Sequence, residues 1–339
     1  MSDNTDTRGA RPAVPGPGQA PAAGLREDPG SVVTGTQPSA TDTTGVAEDL
    51  PGAGRGTSKT RLYVRRFMRN RMAVVGLAVF ALLALVAIFG GFLTPWAYDE
   101  ADFLNLSSPP SAEHWFGTTD VGHDLYAQVV HGLGRSLIIG VLASLGTSVI
   151  SAVLGAGAAL YGGLPEKIVI GAIHFLLAIP TFLLIALVVG DAQGDWKLLI
   201  VVLVLFGWMF PARVIWSMSL SIKQNDYVRA ARFMGVSRPR TVVRHLVPNI
   251  GSLLIIQFAL GVVGVIMSET ALSFLGLGVK LPDVSLGTLL AAGANATQAA
   301  PWQFYFPAGI LTLLTVSMAF IADGLRDALD PNSRSGGQA

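Results

Sequence analysis

Cysteine is absent from the 339 residues, which excludes disulfide frameworks, thiolate metal sites and thiol nucleophiles together. Charge is scarce as well. Only 13% of the residues are Asp, Glu, Lys or Arg, about half of the roughly 25% usual in a soluble domain. Between Met72 and Leu325 there are 11 basic and 13 acidic residues in 254 positions, too few to cover a water-soluble body of that size. A net charge of +1 excludes a globally basic nucleic-acid binder, so no nucleic-acid partner is expected. What is abundant is apolar: 51% hydrophobic residues, 39 glycines and a mean hydropathy of +0.54. These values describe an all-α integral membrane protein.

Residues 1–58 differ from the rest. They hold ten glycines, seven prolines and no aromatic residue, the composition of a disordered tail. The run Gly52 to Thr60 superficially has phosphate-loop character, but no glycine directly precedes Lys59 and no strand leads into it. A basic segment at 59–71 follows. From Arg55 to Arg71 seven basic residues occur without an acid. Then come six apolar runs: Met72–Leu93, Ser136–Tyr161, Lys167–Val189, Lys197–Trp216, Ile250–Leu275 and Phe304–Leu325. Gly140, Ser144, Ser148, Ala152 and Ala156 repeat every fourth residue along the second, a face that allows close helix packing. Pro180 interrupts the third run, and Pro211 lies near the end of the fourth.

Basic flanks stay in the cytoplasm. The first helix therefore runs outward, the segment 94–135 with six acids is external, and the loop 217–249 with six basic residues against Asp226 is internal. This places both termini in the cytoplasm, with a permease domain over 72–325 and a tail over 326–339.

The loop at 217–249 carries the functional signal. Asn225 or Asp226 can cap a short helix that Gly235 ends in a left-handed conformation. On it Tyr227, Ala230, Ala231 and Met234 share one face at i, i+3, i+4 and i+7, with Arg229 and Arg232 elsewhere. Such an element fits the groove of a cytosolic partner. The same composition also suits an interfacial helix that merely obeys the positive-inside rule.

The motifs Tyr227-Val-x-Ala230-Ala231-Arg232-x-x-Gly235-x-Ser237 and Arg244-His245-x-x-Pro248-Asn249 weight the choice. With Trp115-Phe-Gly117-Thr118-Thr-Asp120-x-Gly122-x-Asp124, Leu177-Ala-Ile-Pro180, Glu269 to Gly278, Ala300-Pro301-Trp302 and Asp323 to Pro331, they resemble binding-protein-dependent ABC importer permeases. The likeness is to the C-type subunit of dipeptide, oligopeptide and nickel importers, and covers Arg69 to Arg334. It implies the type I ABC importer transmembrane fold with six transmembrane helices, in the bacterial plasma (inner) membrane. It also implies a homologous second permease subunit, one or two cytosolic ATPases, and an extracytoplasmic substrate-binding protein. The chain itself would be a transport subunit and no enzyme, holding no cofactor, because ATP and Mg bind the partner ATPases. Coupling residues by resemblance are Asp226, Tyr227, Arg229, Ala230, Ala231, Arg232, Met234 and Gly235. Arg229 stands where the family commonly has Glu, and His123 where it usually has Arg; Arg229 cannot accept a hydrogen bond, so the partner ATPase either tolerates the change or offers a complementary acid.

Glu269 is the clearest intramembrane acid, either a contact for a peptide amino group or an interhelical polar contact. His174 reads as an interhelical hydrogen-bonding residue, Arg213 as a snorkelling one, and Trp196, Trp216 and Trp302 as interfacial anchors. His114, His123 and His131, with Asp120 and Asp124, bring nickel into view as an alternative cargo, although no ligand spacing of a known metal site occurs. Two competing classes remain at this stage. A stand-alone carrier usually shows internal repeats and midplane charges, and a membrane enzyme shows a paired Asp, a Ser–His pairing or His-Glu-x-x-His; none is evident.

Overall fold

The computed structural model describes residues 59–190 and 194–329. The tail at 1–58, Asp191 and the residues after 329 lie outside the described residues. An amphipathic helix α1 (Lys59–Arg69) leads into α2 (Arg71–Phe89), whose start is capped by the Asn70 side chain accepting from the Ala73 amide at 3.2 Å. A short 3-10 turn over Gly90–Leu93 closes the first span.

Next comes α3 (Leu125–Tyr161), 37 residues long. The sequence places its start at Ser136; the structure moves it eleven residues earlier, because the Asp124 carboxylate accepts from the Ala127 amide at 2.7 Å and caps the helix. The external segment thus ends at residue 124, and Arg135 is helical. At 1.5 Å per residue α3 is about 55 Å long, well beyond the ~30 Å hydrocarbon layer.

The third apolar run forms α4 (Gly163–Leu177) and α5 (Thr181–Val189), bent by 80° at the break before Pro180. Proline has no amide hydrogen and restricts the residue before it, which breaks the helix at Ile179. The fourth span is α6 (Trp196–Gly207) and α7 (Met209–Ile222), six residues longer at its inner end than the sequence indicates. Pro211 leaves the Gly207 carbonyl without its usual donor. The adjoining Trp208 carbonyl accepts from the Ser151 hydroxyl at 2.9 Å.

The chain then forms three short elements, α8 (Asp226–Phe233), α9 (Arg238–Thr241) and, after a π-helical turn over Val242–Leu246, α10 (Val247–Asn249). The fifth span is α11 (Gly251–Phe274). The stretch read as a plain external connection contains an apolar helix, α12 (Leu286–Ala296), too short to cross a bilayer. The sixth span is α13 (Trp302–Leu329), which continues into what the sequence assigns to the C-terminal tail. Among the described residues five helical spans are long and apolar enough to cross a membrane, and the bent α4–α5 pair makes a sixth.

Packing explains the arrangement. Leu83 of α2, Leu133 of α3, Val262 and Ile266 of α11, Leu286 of α12 and Leu314 of α13 form one buried cluster. Ile139 and Ala143 of α3 join α5, α6 and Leu272 in a second, and Ala156 and Leu160 of α3 join α7 and α8 in a third. Helix α3 is therefore the common wall of three cores. Its small residues make this close fit workable: a Cβ on Gly155 would sit 2.5 Å from the Ala212 carbonyl oxygen of α7, and Ser144 donates to the Phe258 carbonyl of α11 at 2.7 Å. Outward faces are apolar too. Leu82 and Ile88 of α2, Val149 and Val153 of α3, and Leu187 of α5 are exposed, the reverse of a water-soluble bundle. This is an all-α integral membrane fold.

Candidate functional site

The site begins at the C-terminal end of α7. Lys223 donates to the Ala159 carbonyl at 2.7 Å, so the chain leaving α7 is tied to the last turn of α3. The Asn225 carbonyl accepts from the Val228 and Arg229 amides at 3.0 and 3.1 Å and starts α8. Its end is Gly235, at φ +82°, where a left-handed residue without a Cβ is least strained; the Val236 amide bonds back to the Ala231 carbonyl at 3.1 Å. Pro239 occupies the first turn of α9, as expected of a residue with no amide to satisfy. Arg238 lies over the Tyr161 ring at 5.3 Å and adds a second tie to the end of α3.

Helix α8 divides its faces differently from the sequence reading. Val228 and Ala231, three residues apart, are 0% and 4% exposed, and Val228 packs in a cluster with Ala156, Leu160, Ile215, Val242, Leu246 and Ile250. Tyr227, Ala230, Phe233 and Met234 point away, with Phe233 86% and Met234 77% exposed. The sequence assigns Ala231 to the outward face with Tyr227, Ala230 and Met234; the structure corrects this, because the seat on α3 and α7 takes the Val228/Ala231 stripe. Asp226 and Arg229 are exposed beside the apolar tip, Gly235 is open, and the Arg232 side chain lies outside the described residues. Phe233 was missed, although it stands three residues from Ala230 and therefore on the same side of the helix.

Glu269 lies elsewhere, toward the end of α11 that is next to the 94–124 segment. It is 1% exposed. Its Oε1 accepts from the Ser273 hydroxyl at 2.8 Å and from the Ser285 hydroxyl at 2.6 Å, so it joins α11 to the start of α12. Of the two sequence readings, this geometry gives the interhelical polar contact.

The segment at 94–124 forms a compact cap over the same end. The buried His114 ring pairs through Nδ1 with Asp124 at 2.9 Å. Gln303 and Trp302 donate to the Thr118 carbonyl at 3.0 and 3.3 Å, and Phe116 stacks on Phe306 with centroids 4.1 Å apart. Asp283 takes Arg135 Nη2 at 2.7 Å and His131 Nε2 at 2.8 Å, while Arg135 covers the Trp196 ring at 4.2 Å. Asn105 donates to Asp102 at 2.7 Å, and the Leu104 amide donates to it at 2.9 Å. These bonds, Asn105 first, hold the Asp102 carboxyl below its ordinary value.

His114 and His131 thus pair with different carboxylates. Among the described residues no group of three His, Asp or Glu side chains converges as a metal site would need. His174 is exposed on α4, and among the described residues it makes no interhelical hydrogen bond, contrary to expectation. Trp216 donates to Glu166 at 2.7 Å, so with Trp196 and Trp302 it serves packing between elements as well as the interface.

Comparison with known proteins follows the same outline. Residues 135–335 match the family described as binding-protein-dependent transport system inner membrane component, and residues 58–110 match the N-terminal TM domain of oligopeptide transport permease C. The oligopeptide transport system permease protein OppC of Mycobacterium tuberculosis is 45% identical over 280 residues, 82% of this chain and 96% of that protein. OppC of Escherichia coli is 38% identical over 272 residues, covering 80% and 90% of the two chains. The dipeptide transport system permease protein DppC of Bacillus subtilis is 33% identical over 271 residues, covering 80% and 85%. The exposed helix α8, the spans and these matches lead to one assignment: the chain belongs to the family of inner membrane components of binding-protein-dependent transport systems, a multi-pass ABC permease of the type I importer fold.

Proposed function

We propose that this chain is the permease subunit of an ATP-driven importer of short peptides and that α8 is the element a cytosolic ATPase grips. The peptide cargo is carried over from the relatives named for oligopeptide and dipeptide transport. The observation that carries the coupling role is the division of α8. One stripe is seated in the permease core, and Tyr227, Phe233 and Met234 stand clear of it as an anchor for a partner groove.

ATP is hydrolysed on partner subunits, since nothing in this sequence supplies a phosphate loop. Closure of two such ATPases would displace α8 as a rigid body. The displacement passes to α3 and α7 through Val228, and α3 carries it to the opposite side of the membrane. In this arrangement α8 and both termini face the cytoplasm, and the 94–124 cap faces outward to a substrate-binding protein. A homologous second permease covers outward apolar faces of the spans.

Phe233→Glu places a charge at the exposed tip without touching the seat. Loss of a central aromatic anchor costs about 2 kcal/mol or more, some thirty-fold in affinity. The expected result is a permease that inserts normally, fails to retain the ATPase on purification and loses uptake at least ten-fold. Wild-type ATPase retention with full uptake would refute the docking role.

A further inference from the structure

We propose that Glu269 is a positioning residue that latches α12 in its seat, and that α12 so held forms one wall of the outer access groove. The inference rests on the importer reading above for its meaning, though not for its geometry. The groove, about 920 Å³, is lined by Thr119 and His123 of the 94–124 cap, by Lys280 and Asp283 of the connection before α12, and by Ala292 and Asn295 of α12.

Helix α12 is eleven residues long and reaches its place through a connection containing Gly276 and Gly278. Its apolar side, Leu286, Leu289, Leu290 and Gly293, is buried, yet its first turn is fixed by polar contacts. Ser285 caps the helix by accepting from the Thr288 amide at 3.1 Å and donates its own hydrogen to Glu269. The Leu286 amide donates to the Ser136 hydroxyl of α3 at 3.0 Å. One carboxylate thereby fixes a cap, the cap fixes a helix, and the two bonds tie the start of α12 to α11 and to α3.

The other carboxylate oxygen is the informative one. Oε2 is buried without a hydrogen-bond partner among the described residues and faces the first turn of α12, where a Cβ added to Gly287 would lie 2.6 Å from it. A buried acceptor left unpaired is costly, and leucine packing alone would seat a short helix more cheaply. A hydroxyl–carboxylate latch, unlike interdigitated leucines, can release and re-form without repacking the core. That property suits a wall that must shift as access alternates.

The test uses the assembled transporter with a single introduced thiol, Ala292→Cys, since the chain has no cysteine of its own and Ala292 is exposed on the groove side. Its rate of modification by a membrane-impermeant maleimide, measured without ATP, reports the seat of α12. Loss of one latch bond is worth roughly a factor of five in the seated population. In that background Ser285→Ala and Glu269→Ala are expected to raise the labelling rate about five-fold and to lower peptide uptake per ATP hydrolysed, with the ATPase retained. Gly287→Ala, which crowds Oε2, shifts labelling the same way. Glu269→Gln, whose amide oxygen accepts from both serines, restores near wild-type labelling.

Wild-type labelling in Ser285→Ala overturns the latch, even where Glu269→Ala fails to assemble. So does a raised half-saturating peptide concentration in Glu269→Ala with labelling unchanged, which would make the acid a cargo contact. Because labelling is read without ATP, failure of the latch stays distinguishable from failure of α8 docking, which Phe233→Glu reports.

Discussion

Asp102 shows how single side chains hold the outer cap together. Its carboxylate accepts from Asn105, the Leu104 amide and, at a longer 3.5 Å, the His114 ring. With its acid constant held below the ordinary value, the folded state is favoured at pH values above the unfolded carboxyl's titration, and that contribution disappears as pH falls through the lower, folded value. The loosening is therefore expected only below about pH 4, and neutral pH leaves the cap intact. Fluorescence of Trp96 and Trp115 followed from pH 6 to pH 3 measures it. Asp102→Asn should reduce the acid-induced change, and an identical titration in that variant would show that other carboxyls dominate. Glycine acts at the same scale on the inner side: Gly235, at φ +82°, lets α8 stop where Pro239 can begin the next helix.

Helix α8 carries two surfaces with separate duties, and substitutions distinguish them. Ala231→Glu places a carboxylate at a buried position one turn from Val228, the α8 member of the cluster around Leu160, Ile215 and Leu246, where an unpaired buried charge costs several kcal/mol. The expected phenotype is loosening of the whole inner loop. Protease cleavage between Lys223 and Arg244 should accelerate in detergent, and ATPase retention should fall as a consequence. Phe233→Glu loses ATPase retention with cleavage unchanged. Equal protease sensitivity of the Ala231→Glu variant and the wild type would contradict the seat. The periodicity of α8 was legible in the sequence; the partition of its faces was not, because Val228 and Tyr227 are both apolar and only the position of α3 and α7 decides which stripe is covered. Helix α12 had a usable signal, with Ser285 as cap and Leu286, Leu289, Leu290 and Gly293 at helical spacing. Its shortness concealed it in a search for membrane-length runs.

Across the whole molecule, α3 joins the Asp124 cap at one end to Lys223, Arg238 and α8 at the other. Under the proposed coupling, movement of α8 reaches the other end of the spans through the close contact of α3 with α7. Gly155→Val forces these helices apart against the Ala212 carbonyl, an overpacking cost of about 1–3 kcal/mol. Heat stability and uptake should fall together while insertion persists; unchanged uptake would remove α3–α7 packing from the transmission path. The sequence by itself determined the membrane class, the number of apolar runs and the helical periodicity of the segment proposed to meet the ATPase. These depend on composition, run length and local periodicity, and a bilayer forces every spanning segment to satisfy its own backbone. Only the tertiary structure decided that Leu125–Arg135 is helix, that Pro180 bends the third run by 80°, that Ala231 faces inward, and that Glu269 reaches Ser285 sixteen residues away. Each of those depends on which distant side chain arrives to accept a hydrogen bond or cover a face, and no local pattern records that.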